Sequence, residues 1–365
     1  MKAVVITCFE SNEERVTFVM DALKTKGYEV SGISTNFSHF NKKYRDEYPE
    51  GIIGLKTERY NKNLSIKRLV SHNQFSLNAF FAIDEIKPDL IWLIAPCNSL
   101  IKRANKYKKK HPNVKLIIDI IDMWPESFPK YEKGNFFFEK WKEYRSKNIN
   151  SADELVCECD LYQEILKNEY NGKITTIHWS KDGQAIENEV VTNDDKLSLA
   201  YIGSINNIID IDLISDIISV LDRKVELHVI GDGEKLDYMK SKLSKVANVN
   251  CYGKVYDINE KRNIFSKCHA GINIYKEGLY IGLTVKCIDY FRYGLPIINN
   301  IKGDTWNFVE NNNVGINVER NSVLDSDKLI NMRKNNSNIY DFYNNNFTKE
   351  VFVNKCLEVI DRVTK

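Results

Sequence analysis

The stretch that decides the fold is Glu277–Asn300, which reads EGLYIGLTVKCIDYFRYGLPIINN. A glycine-broken loop ends at Gly282-Leu283-Thr284, and the pattern after it predicts a short helix over 284–293. Gly294 ends that helix, and Pro296 opens an apolar strand. The order of loop, helix, Gly-x-Pro and strand is typical of one unit of a parallel α/β sheet.

The predicted helix carries the side chains that suggest a ligand. Lys286 lies in its first turn, and Asp289 and Tyr290 are placed on the same face. The N–H groups at a helix start can replace the water around a diphosphate, and Gly282 lets the backbone approach closely. A carboxylate one turn further on can accept two hydrogen bonds from a ribose diol. The alternative is an exposed ion pair between Lys286 and Asp289, which would stabilise the helix little.

Composition limits the class of protein. The chain has 365 residues, of which 43% are hydrophobic and 28% charged, as expected for a soluble globular protein of two domains. No apolar run is long enough to span a bilayer, and the N-terminus enters a strand without a signal-peptide pattern. The eight cysteines lie in apolar contexts, and Cys157-Glu158-Cys159 lacks the spacing of a zinc site. These features predict a cytoplasmic protein with reduced thiols.

Two clusters of cations stand out against a net charge of only +2. Each is explained either by a solvated helix face or by a patch that contacts anionic lipid at the inner face of a membrane. The nearly balanced charge and the lack of a known module argue against nucleic-acid binding. The first cluster is Lys102, Arg103, Lys106, Lys108, Lys109 and Lys110, and the second is Arg59, Lys62, Lys67 and Arg68.

Two series of strand-then-helix patterns divide the chain. Continuous apolar runs that alternate with helical patterns predict parallel sheets covered on both faces. The polar stretch 181–196 predicts a linker between domains at 1–180 and 197–345, and 346–365 predicts an amphipathic helix with the option of crossing back. The predicted strands are Ala3–Thr7, Glu29–Ile33, Asp89–Ile94, Lys115–Ile120, Glu154–Cys157 and Ile174–Ile177, then Ser198–Ile202, Val225–Ile230, Asn248–Cys251, Ala270–Ile274, Pro296–Asn299 and Val314–Asn317.

Several segments resemble the GT-B glycosyltransferases of family 4, in particular bacterial enzymes of capsule, O-antigen and exopolysaccharide biosynthesis. Residues 286–290 match a K-x-x-[ED]-Y signature of those enzymes. The resemblance covers the whole chain, and its segments are specific only in combination. The other segments are Tyr201-Ile202-Gly203-Ser204, His228-Val229-Ile230-Gly231-Asp232-Gly233, Tyr252-Gly253-Lys254-Val255-Tyr256 and Asp122-Met123-Trp124-Pro125-Glu126-Ser127.

The resemblance implies an α/β GT-B fold, in which two Rossmann-like doubly wound domains face each other across a cleft. It implies that the second domain holds a nucleotide-sugar donor, with UDP favoured and GDP left open, and that the first binds a glycan or lipid-linked glycan. It also implies retention of anomeric configuration without a metal, and no cofactor, since the nucleotide-sugar is a substrate. The donor-binding residues are expected to be Gly203, Ser204, Gly231, Gly253, Lys254, Val255, Tyr256, Gly282, Leu283, Thr284, Val285, Lys286 and Asp289.

The acceptor side has fewer candidates. Asp122 is the candidate catalytic residue, which orients or deprotonates the acceptor hydroxyl, with turn capping as the alternative. The segment after the first strand has helix capping as its alternative, and Ser11 with Glu14 predicts a capping box there. The residues expected to line the acceptor side are Glu10, Ser11, Asn12 and Trp124.

Two departures from the family pattern leave other functions open. Ile281 stands where many members carry a sugar-contacting glutamate. Ser204 and the stretch 206–210 stand where most carry an Arg and a Lys, so Lys286 is expected to take over part of the diphosphate charge. The alternatives are a non-catalytic glycosyltransferase-like subunit, or a sugar-nucleotide epimerase or hydrolase on the same fold. Asp210-Ile211-Asp212 spells a metal motif of a different glycosyltransferase fold and is interpreted as a helix start.

Overall fold

A computed structural model describes residues 1–62, 65–128, 134–187, 189–191 and 193–365. The chain forms two compact units. The first consists of Met1–Trp179 together with Lys349–Lys365, and the second of Ser180–Thr348. Among the described residues, no helix combines the length and apolar character needed to cross a membrane.

The first unit contains a sheet of seven parallel strands in the order β3-β2-β1-β4-β5-β6-β7. The order reverses at β1, which pairs with both β2 and β4. The strands are β1 Lys2–Ile6, β2 Glu29–Thr35, β3 Ile52–Leu55, β4 Leu90–Ala95, β5 Lys115–Ile120, β6 Glu154–Cys157 and β7 Ile174–Thr176. The helices are α1 Glu13–Thr25, α2 Ile66–Ile86, α3 Asn98–Lys110, α4 Phe136–Ser146 and α5 Asp160–Leu166.

The second unit contains a sheet of six parallel strands in the order β10-β9-β8-β11-β12-β13, which reverses at β8. The strands are β8 Lys196–Ile202, β9 Lys224–Ile230, β10 Asn248–Gly253, β11 Ala270–Asn273, β12 Ile297–Asn299 and β13 Gly315–Asn317. The helices are α6 Ile211–Ser219, α7 Leu236–Leu243, α8 Ile258–Phe265, α9 Val285–Arg292, α10 Asp304–Asn312, α11 Ser326–Lys334 and α12 Ser337–Asn346.

The α/β doubly wound class predicted from the sequence is confirmed, because both sheets are parallel and carry helices between most successive strands. All twelve predicted strands form within about two residues of their predicted ends. The sequence analysis missed β3, an edge strand of four residues that contains Gly54. Only one of its four residues is buried and Gly54 interrupts the run, so the segment lacks the continuous apolar pattern of the central strands.

The last helix, α13 Lys349–Thr364, belongs to the first unit. Its apolar face is buried with that of α1 in one core. The two rings of Phe18 and Phe352 meet edge to face at 5.6 Å. The buried residues of α13 are Phe352, Cys356, Val359, Ile360 and Val363.

A buried ion pair fixes α1 to the centre of the first sheet. Arg15 Nε and one terminal nitrogen donate to the two carboxylate oxygens of Asp119 at 2.8 and 2.9 Å, and both side chains are 0% exposed. Asp119 also accepts from the indole of Trp92 at 3.2 Å. Because every partner lies inside the core, Asp119 is a structural residue.

The predicted capping box at the start of α1 is wrong. The helix begins at Glu13 and has Asn12 in the capping position, without a side-chain cap hydrogen bond. The Ser11 hydroxyl instead donates to Asn12 Oδ1 at 3.2 Å. The preceding 3-10 turn at Glu10–Asn12 shifts the helix start by one residue, which removes Ser11 from the capping position.

Candidate functional site

A cavity of about 320 Å³ opens at the point where the strand order of the second sheet reverses, beyond the carboxyl ends of β8 and β11. This is the position at which ligands bind in doubly wound sheets. The cavity is lined by Ile202, Gly203, Ser204, Asn206, Ile208, Ile209, Tyr275, Thr284, Val285, Lys286 and Asp289. The structure therefore brings six of the predicted donor-binding residues together: Gly203, Ser204, Thr284, Val285, Lys286 and Asp289.

Lys286 is the most informative side chain in this cavity. Its ammonium lies 4.3 Å from the ring centre of Tyr201 and 4.6 Å from that of Tyr275. Its Nζ is buried and has no hydrogen-bond partner among the residues that the structure describes. Burial lowers the pKa of Lys286 to about 7. A cation held by two ring faces and otherwise unsatisfied is ready to receive an anion.

Asp289 lies one turn further along α9, on the wall of the same cavity. Burial raises the pKa of its carboxyl, against the opposing effect of Lys181, Lys261 and Arg292. Its oxygens are placed to accept hydrogen bonds from a hydroxyl-bearing ligand that enters next to Lys286.

An asparagine ladder positions the start of α9. The hydroxyl of Thr284, which precedes the helix, donates to Asn273 Oδ1 at 2.9 Å and does not accept a capping hydrogen bond from the first-turn N–H groups. Asn273 in turn donates to Asn299 Oδ1, and Asn299 donates to Asn317 Oδ1, each at 2.8 Å. These three residues end β11, β12 and β13 in register. The repeated strand ending Ile-Asn at all three positions was the sequence signal for this ladder.

Two glycines let the ends of β8 and β9 meet beside the cavity. Gly203 has φ of 120° and Gly231 has φ of 152°. A Cβ at Gly231 would lie 2.0 Å from the carbonyl oxygen of Gly203, which no side chain tolerates. Gly231 N–H donates to the Gly253 carbonyl at 2.7 Å, and this hydrogen bond holds the end of β10 beside β9.

The other predicted donor residues do not line this cavity. Lys254 and Tyr256 are exposed beyond β10, and Tyr256 is 80% exposed. Val255 and Leu283 are buried. The Gly282 carbonyl accepts from the backbone N–H and the hydroxyl of Thr305 at 2.9 and 2.8 Å, which fixes the loop before α9.

Tyr290, four residues after Lys286 on α9, does not line the cavity. Its hydroxyl accepts from Ile202 N–H at 2.9 Å and donates to the Ala200 carbonyl at 3.1 Å. The side chain is 0% exposed because it packs over Gly271 and reaches the backbone of β8. Tyr290 therefore fixes α9 to the sheet.

Sequence reasoning also missed Tyr275, Asn206, Ile208 and Ile209 as lining residues. Two apolar isoleucines do not suggest a ligand-binding site in a sequence. Tyr275 follows directly on the apolar residues around the end of β11, so it did not stand out from the strand pattern. Ile281 packs against the apolar core of the second unit.

In the first unit, the predicted Asp122 and Trp124 are in contact. Trp124 Nε1 donates to Asp122 Oδ2 at 2.7 Å, and burial raises the pKa of Asp122. The rings of Trp124 and His72 stack with their centroids 5.6 Å apart. The guanidinium of Arg68 lies 4.3 Å from the centroid of the Trp124 ring. Neither His72 nor a role for Arg68 at this position was predicted, because both lie on α2, far away in sequence.

The segment Glu10–Asn12 is fixed by hydrogen bonds of its own. Glu10 Oε1 accepts from the Ser38 hydroxyl at 2.7 Å and from Phe40 N–H at 3.1 Å. Burial works to raise the pKa of Glu10, but hydrogen bonds from the loop at 38–40 outweigh it and lower the pKa. Asn12 Nδ2 donates to the Thr7 hydroxyl at 3.0 Å. An acceptor-side role for Glu10, Ser11 and Asn12 stays a prediction.

Of the D-x-D sequence, Asp210 caps α6, since its side chain accepts from Leu213 N–H at 2.9 Å. Asp212 lies in the first turn and accepts from the Tyr238 hydroxyl at 2.7 Å. The interpretation as a helix start is confirmed.

Comparison with known proteins bears independently on the family of this chain. Residues 196–331 match the family model described as glycosyl transferases group 1. A search of the curated proteins finds no match.

Solved structures share the fold over the full chain at low identity. A sucrose-phosphate synthase from Thermosynechococcus elongatus has a TM-score of 0.74 at 11% identity, covering 100% of this chain and 99% of its own. The lipopolysaccharide outer core galactosyltransferase WaaB, in its apo form, has 0.61 at 13%, with 100% and 99% covered. Anabaena HepE in complex with UDP has 0.66 at 12%, with 99% and 100% covered. This chain therefore has the GT-B fold, and its residues 196–331 match the glycosyl transferases group 1 model.

Proposed function

We propose that the protein transfers a sugar from a nucleoside diphosphate sugar, with UDP the favoured nucleotide, to a hydroxyl of a glycan or lipid-linked glycan. Transfer retains the anomeric configuration and uses no metal. One observation carries the donor half of this proposal. A buried lysine ammonium, without a hydrogen-bond partner in the described part of the chain, lies at the strand-order reversal of the second sheet, one residue into α9.

The diphosphate is expected to satisfy that lysine. An anion next to Lys286 favours its charged form, so binding raises a pKa that burial has lowered. The N–H groups at the start of α9 add donors and the positive end of the helix dipole. In the transition state the same groups stabilise the charge on the departing diphosphate.

Asp289 is proposed to accept hydrogen bonds from the ribose diol, because it lines the same cavity one turn from Lys286. The backbone at Gly203, Ser204 and Gly231 is proposed to border the phosphates, where the absence of side chains at the two glycines allows close approach. The segment 253–256, in which Lys254 and Tyr256 are exposed, is proposed to contact the base through its backbone. Structures of Anabaena HepE hold UDP, and one holds UDP-glucose, which supports a UDP-sugar as the donor.

In the first unit, Asp122 is proposed to orient or deprotonate the acceptor hydroxyl. Burial raises the pKa of its carboxyl, which moves a general base toward neutral pH. Trp124 holds one carboxylate oxygen by a hydrogen bond. Glu10, Ser11 and Asn12 are proposed to line the acceptor side through the 3-10 turn that follows β1.

The cation-rich helix α3 is proposed to make peripheral contact with an anionic membrane from the cytoplasmic side. Six lysine and arginine side chains and no carboxylate lie within Asn98–Lys110. Each cation near an anionic bilayer contributes about 1 kcal/mol of attraction, so such a helix supports reversible binding.

A non-catalytic role is the second candidate, and Ile281 is the observation that favours it. The side chain packs into the core of the second unit and offers no polar atom to a sugar. The two functions differ in turnover, not in nucleotide binding.

The test screens UDP, GDP and their sugar conjugates by thermal shift, and then measures release of free nucleotide from each conjugate that stabilises the protein. We expect UDP to stabilise the protein and slow release of UDP from one UDP-sugar. Binding without any release, with or without added glycan acceptors, would favour the non-catalytic role. No stabilisation at millimolar nucleotide would contradict the proposed donor site.

A further inference from the structure

A second cavity lies in the first unit, bordered by α2, the start of α3, and α4. Its volume is about 380 Å³, within the range of small-molecule sites. Most of its surface is apolar and comes from Leu69, Phe136, Phe137, Trp141 and Tyr144. Its polar lining consists of His72, Asn73, Cys97, Ser99 and Lys140.

His72 forms the inner end of this cavity. The side chain is 4% exposed, and neither ring nitrogen has a hydrogen-bond partner among the described residues. Burial, followed by the charge of Arg68, lowers the pKa of His72 well below its usual value, so the ring is neutral. One face of the ring stacks on Trp124, which holds Asp122. His72 thus separates the cavity from Trp124 and Asp122, the residues proposed for the acceptor side, by the thickness of one ring.

The outer end of the cavity is apolar and exposed. Phe136, at the first turn of α4, is 77% exposed, and Phe137 is 47% exposed. Next to them, α2 presents four exposed apolar side chains at spacings that place them on one side of the helix. These are Ile66, Val70, Leu77 and Phe81.

Cations border this apolar surface. Lys140 lines the cavity, and its ammonium lies 5.7 Å from the ring centre of Phe136. Lys102 of α3 lies 4.2 Å from the ring centre of Tyr144, another lining residue. The combination of an apolar cavity, exposed aromatic side chains and a cationic border is complementary to an anionic membrane surface, whose apolar chains meet the aromatic side chains and whose charged groups meet the cations.

We propose that this cavity takes the apolar chain of a lipid-linked acceptor, bound from an anionic membrane surface. The proposal rests on the proposed function and narrows its acceptor from a glycan in general to one attached to a lipid. The hydroxyls of a free glycan would find few hydrogen-bond partners on the mostly apolar lining, whereas a lipid chain removes that lining from water without losing hydrogen bonds. The chain then directs the polar end of the acceptor past His72 toward Asp122 and Trp124.

The cavity is tested with parinaric acid, a fluorescent fatty acid, titrated into the full-length protein. Asn73→Trp places a large ring at the cavity wall from an exposed position of α2, and Glu85→Trp places the same ring on the same helix away from the cavity. We expect wild type and Glu85→Trp to bind the probe equally, and Asn73→Trp to bind it at least about tenfold more weakly because less apolar surface is left to bury. No binding by wild type, or equal binding by the two variants, would overturn the proposal.

Sedimentation with vesicles tests whether the apolar chain of the lipid enters the cavity from a membrane. The vesicles contain equal parts phosphatidylcholine and phosphatidylglycerol. Phe136→Asp is compared with Val323→Asp, a substitution at another exposed apolar side chain in the second unit. We expect wild type and Val323→Asp to sediment with these vesicles, and Phe136→Asp to remain in the supernatant. Equal sedimentation of the two variants would show that the lipid does not reach the cavity from a bilayer.

Stabilisation by UDP is measured on the same samples, so that a failure of the proposed function can be distinguished from a failure of the proposed lipid cavity. Loss of UDP stabilisation in every sample, with probe binding intact, would contradict the proposed function. Intact UDP stabilisation without probe binding would contradict the lipid cavity alone.

Discussion

We expect Lys286 to make binding of a diphosphate dependent on pH. Burial between two tyrosine rings lowers its pKa to about 7. Above pH 7 the free protein must take up a proton to present the charged ammonium to UDP, so affinity falls as pH rises, by up to about tenfold per unit. Below pH 7 the lysine is already charged and this dependence disappears.

We therefore expect the affinity for UDP, measured by calorimetry, to fall between pH 7 and pH 9. In Lys286→Arg the fall should be absent over the same interval, because a guanidinium stays charged. The terminal phosphate of UDP titrates near pH 6, so its own ionisation contributes little over this interval. An equal slope in wild type and Lys286→Arg would show that Lys286 does not titrate at the site.

Asp122 is predicted to act on turnover and not on the nucleotide. Replacing its carboxylate in Asp122→Asn keeps an acceptor for Trp124 Nε1 but removes the base. We expect kcat to fall by about 100-fold or more, within the range for general-base catalysis, while the Kd for UDP is unchanged. Steady-state assay of UDP release gives the first value and calorimetry the second. Unchanged kcat would assign Asp122 to turn structure only.

At the residue scale, the sequence predicted Lys286 and Asp289 because their spacing on a short helix constrains where they point. It could not predict Tyr275, whose ring reaches Lys286 from the end of another strand. It also could not predict His72 beside Trp124, since these side chains come from elements far apart in sequence. Contacts of this kind depend on packing, which local patterns do not encode.

The cavity around Lys286 depends on the close approach of the ends of β8 and β9. A side chain at Gly231 would meet the Gly203 carbonyl at 2.0 Å and would also adopt an unfavourable φ of 152°. Gly231→Ala is therefore expected to destabilise the protein by about 3 kcal/mol or more and to weaken UDP binding. Urea unfolding measures the first effect.

Gly27→Ala is the matched control, because Gly27 has a φ of 79° but nothing within 4 Å of a Cβ. Gly27→Ala should lower the free energy of unfolding only by the backbone strain, about 1 kcal/mol. Equal destabilisation by the two substitutions would mean that the close approach of β8 and β9 contributes nothing.

At the element scale, long apolar strands were predictable because a parallel strand buried on both faces leaves a continuous apolar run. The edge strand β3 was not, since only one of its four residues is buried and Gly54 interrupts its apolar run. The start of α1 was misplaced because Ser11 and Glu14 have the spacing of a capping box, whereas the 3-10 turn before the helix decides the actual cap. The asparagine ladder was visible only as a repeated strand ending whose register depends on the assembled sheet.

The first unit as a whole depends on the buried pair of Arg15 and Asp119. Arg15 also donates to the Ile177 carbonyl at 3.0 Å, so its side chain joins α1, β5 and the segment after β7. Arg15→Met would leave the carboxylate of Asp119 buried without its cation, at a cost of about 3–5 kcal/mol. We expect a large fall in the urea midpoint for unfolding of this unit.

Lys26→Met provides the comparison for this prediction. Lys26 pairs with Asp361 at 2.5 Å, but both side chains are partly exposed, so the loss should be below about 1 kcal/mol. Similar midpoints for the two variants would contradict the structural role assigned to the buried pair.

At the scale of the whole molecule, the alternation of strands and helices predicted the fold class, and combined motifs indicated the glycosyltransferase resemblance. The acceptor could not be predicted in the same way. The second cavity is built from α2, α3 and α4, and its aromatic walls appear in the sequence only as separate apolar residues of three helices.

Calorimetric titration of UDP into wild type, Lys286→Met and Lys254→Met tests the central claim, that the cavity around Lys286 holds the diphosphate of the donor. Loss of a charge-assisted contact should weaken binding to Lys286→Met by about 10- to 100-fold at pH 7. Lys254→Met should bind as wild type does, because the Lys254 side chain is exposed outside the cavity. Equal affinity of Lys286→Met and wild type would contradict the claim.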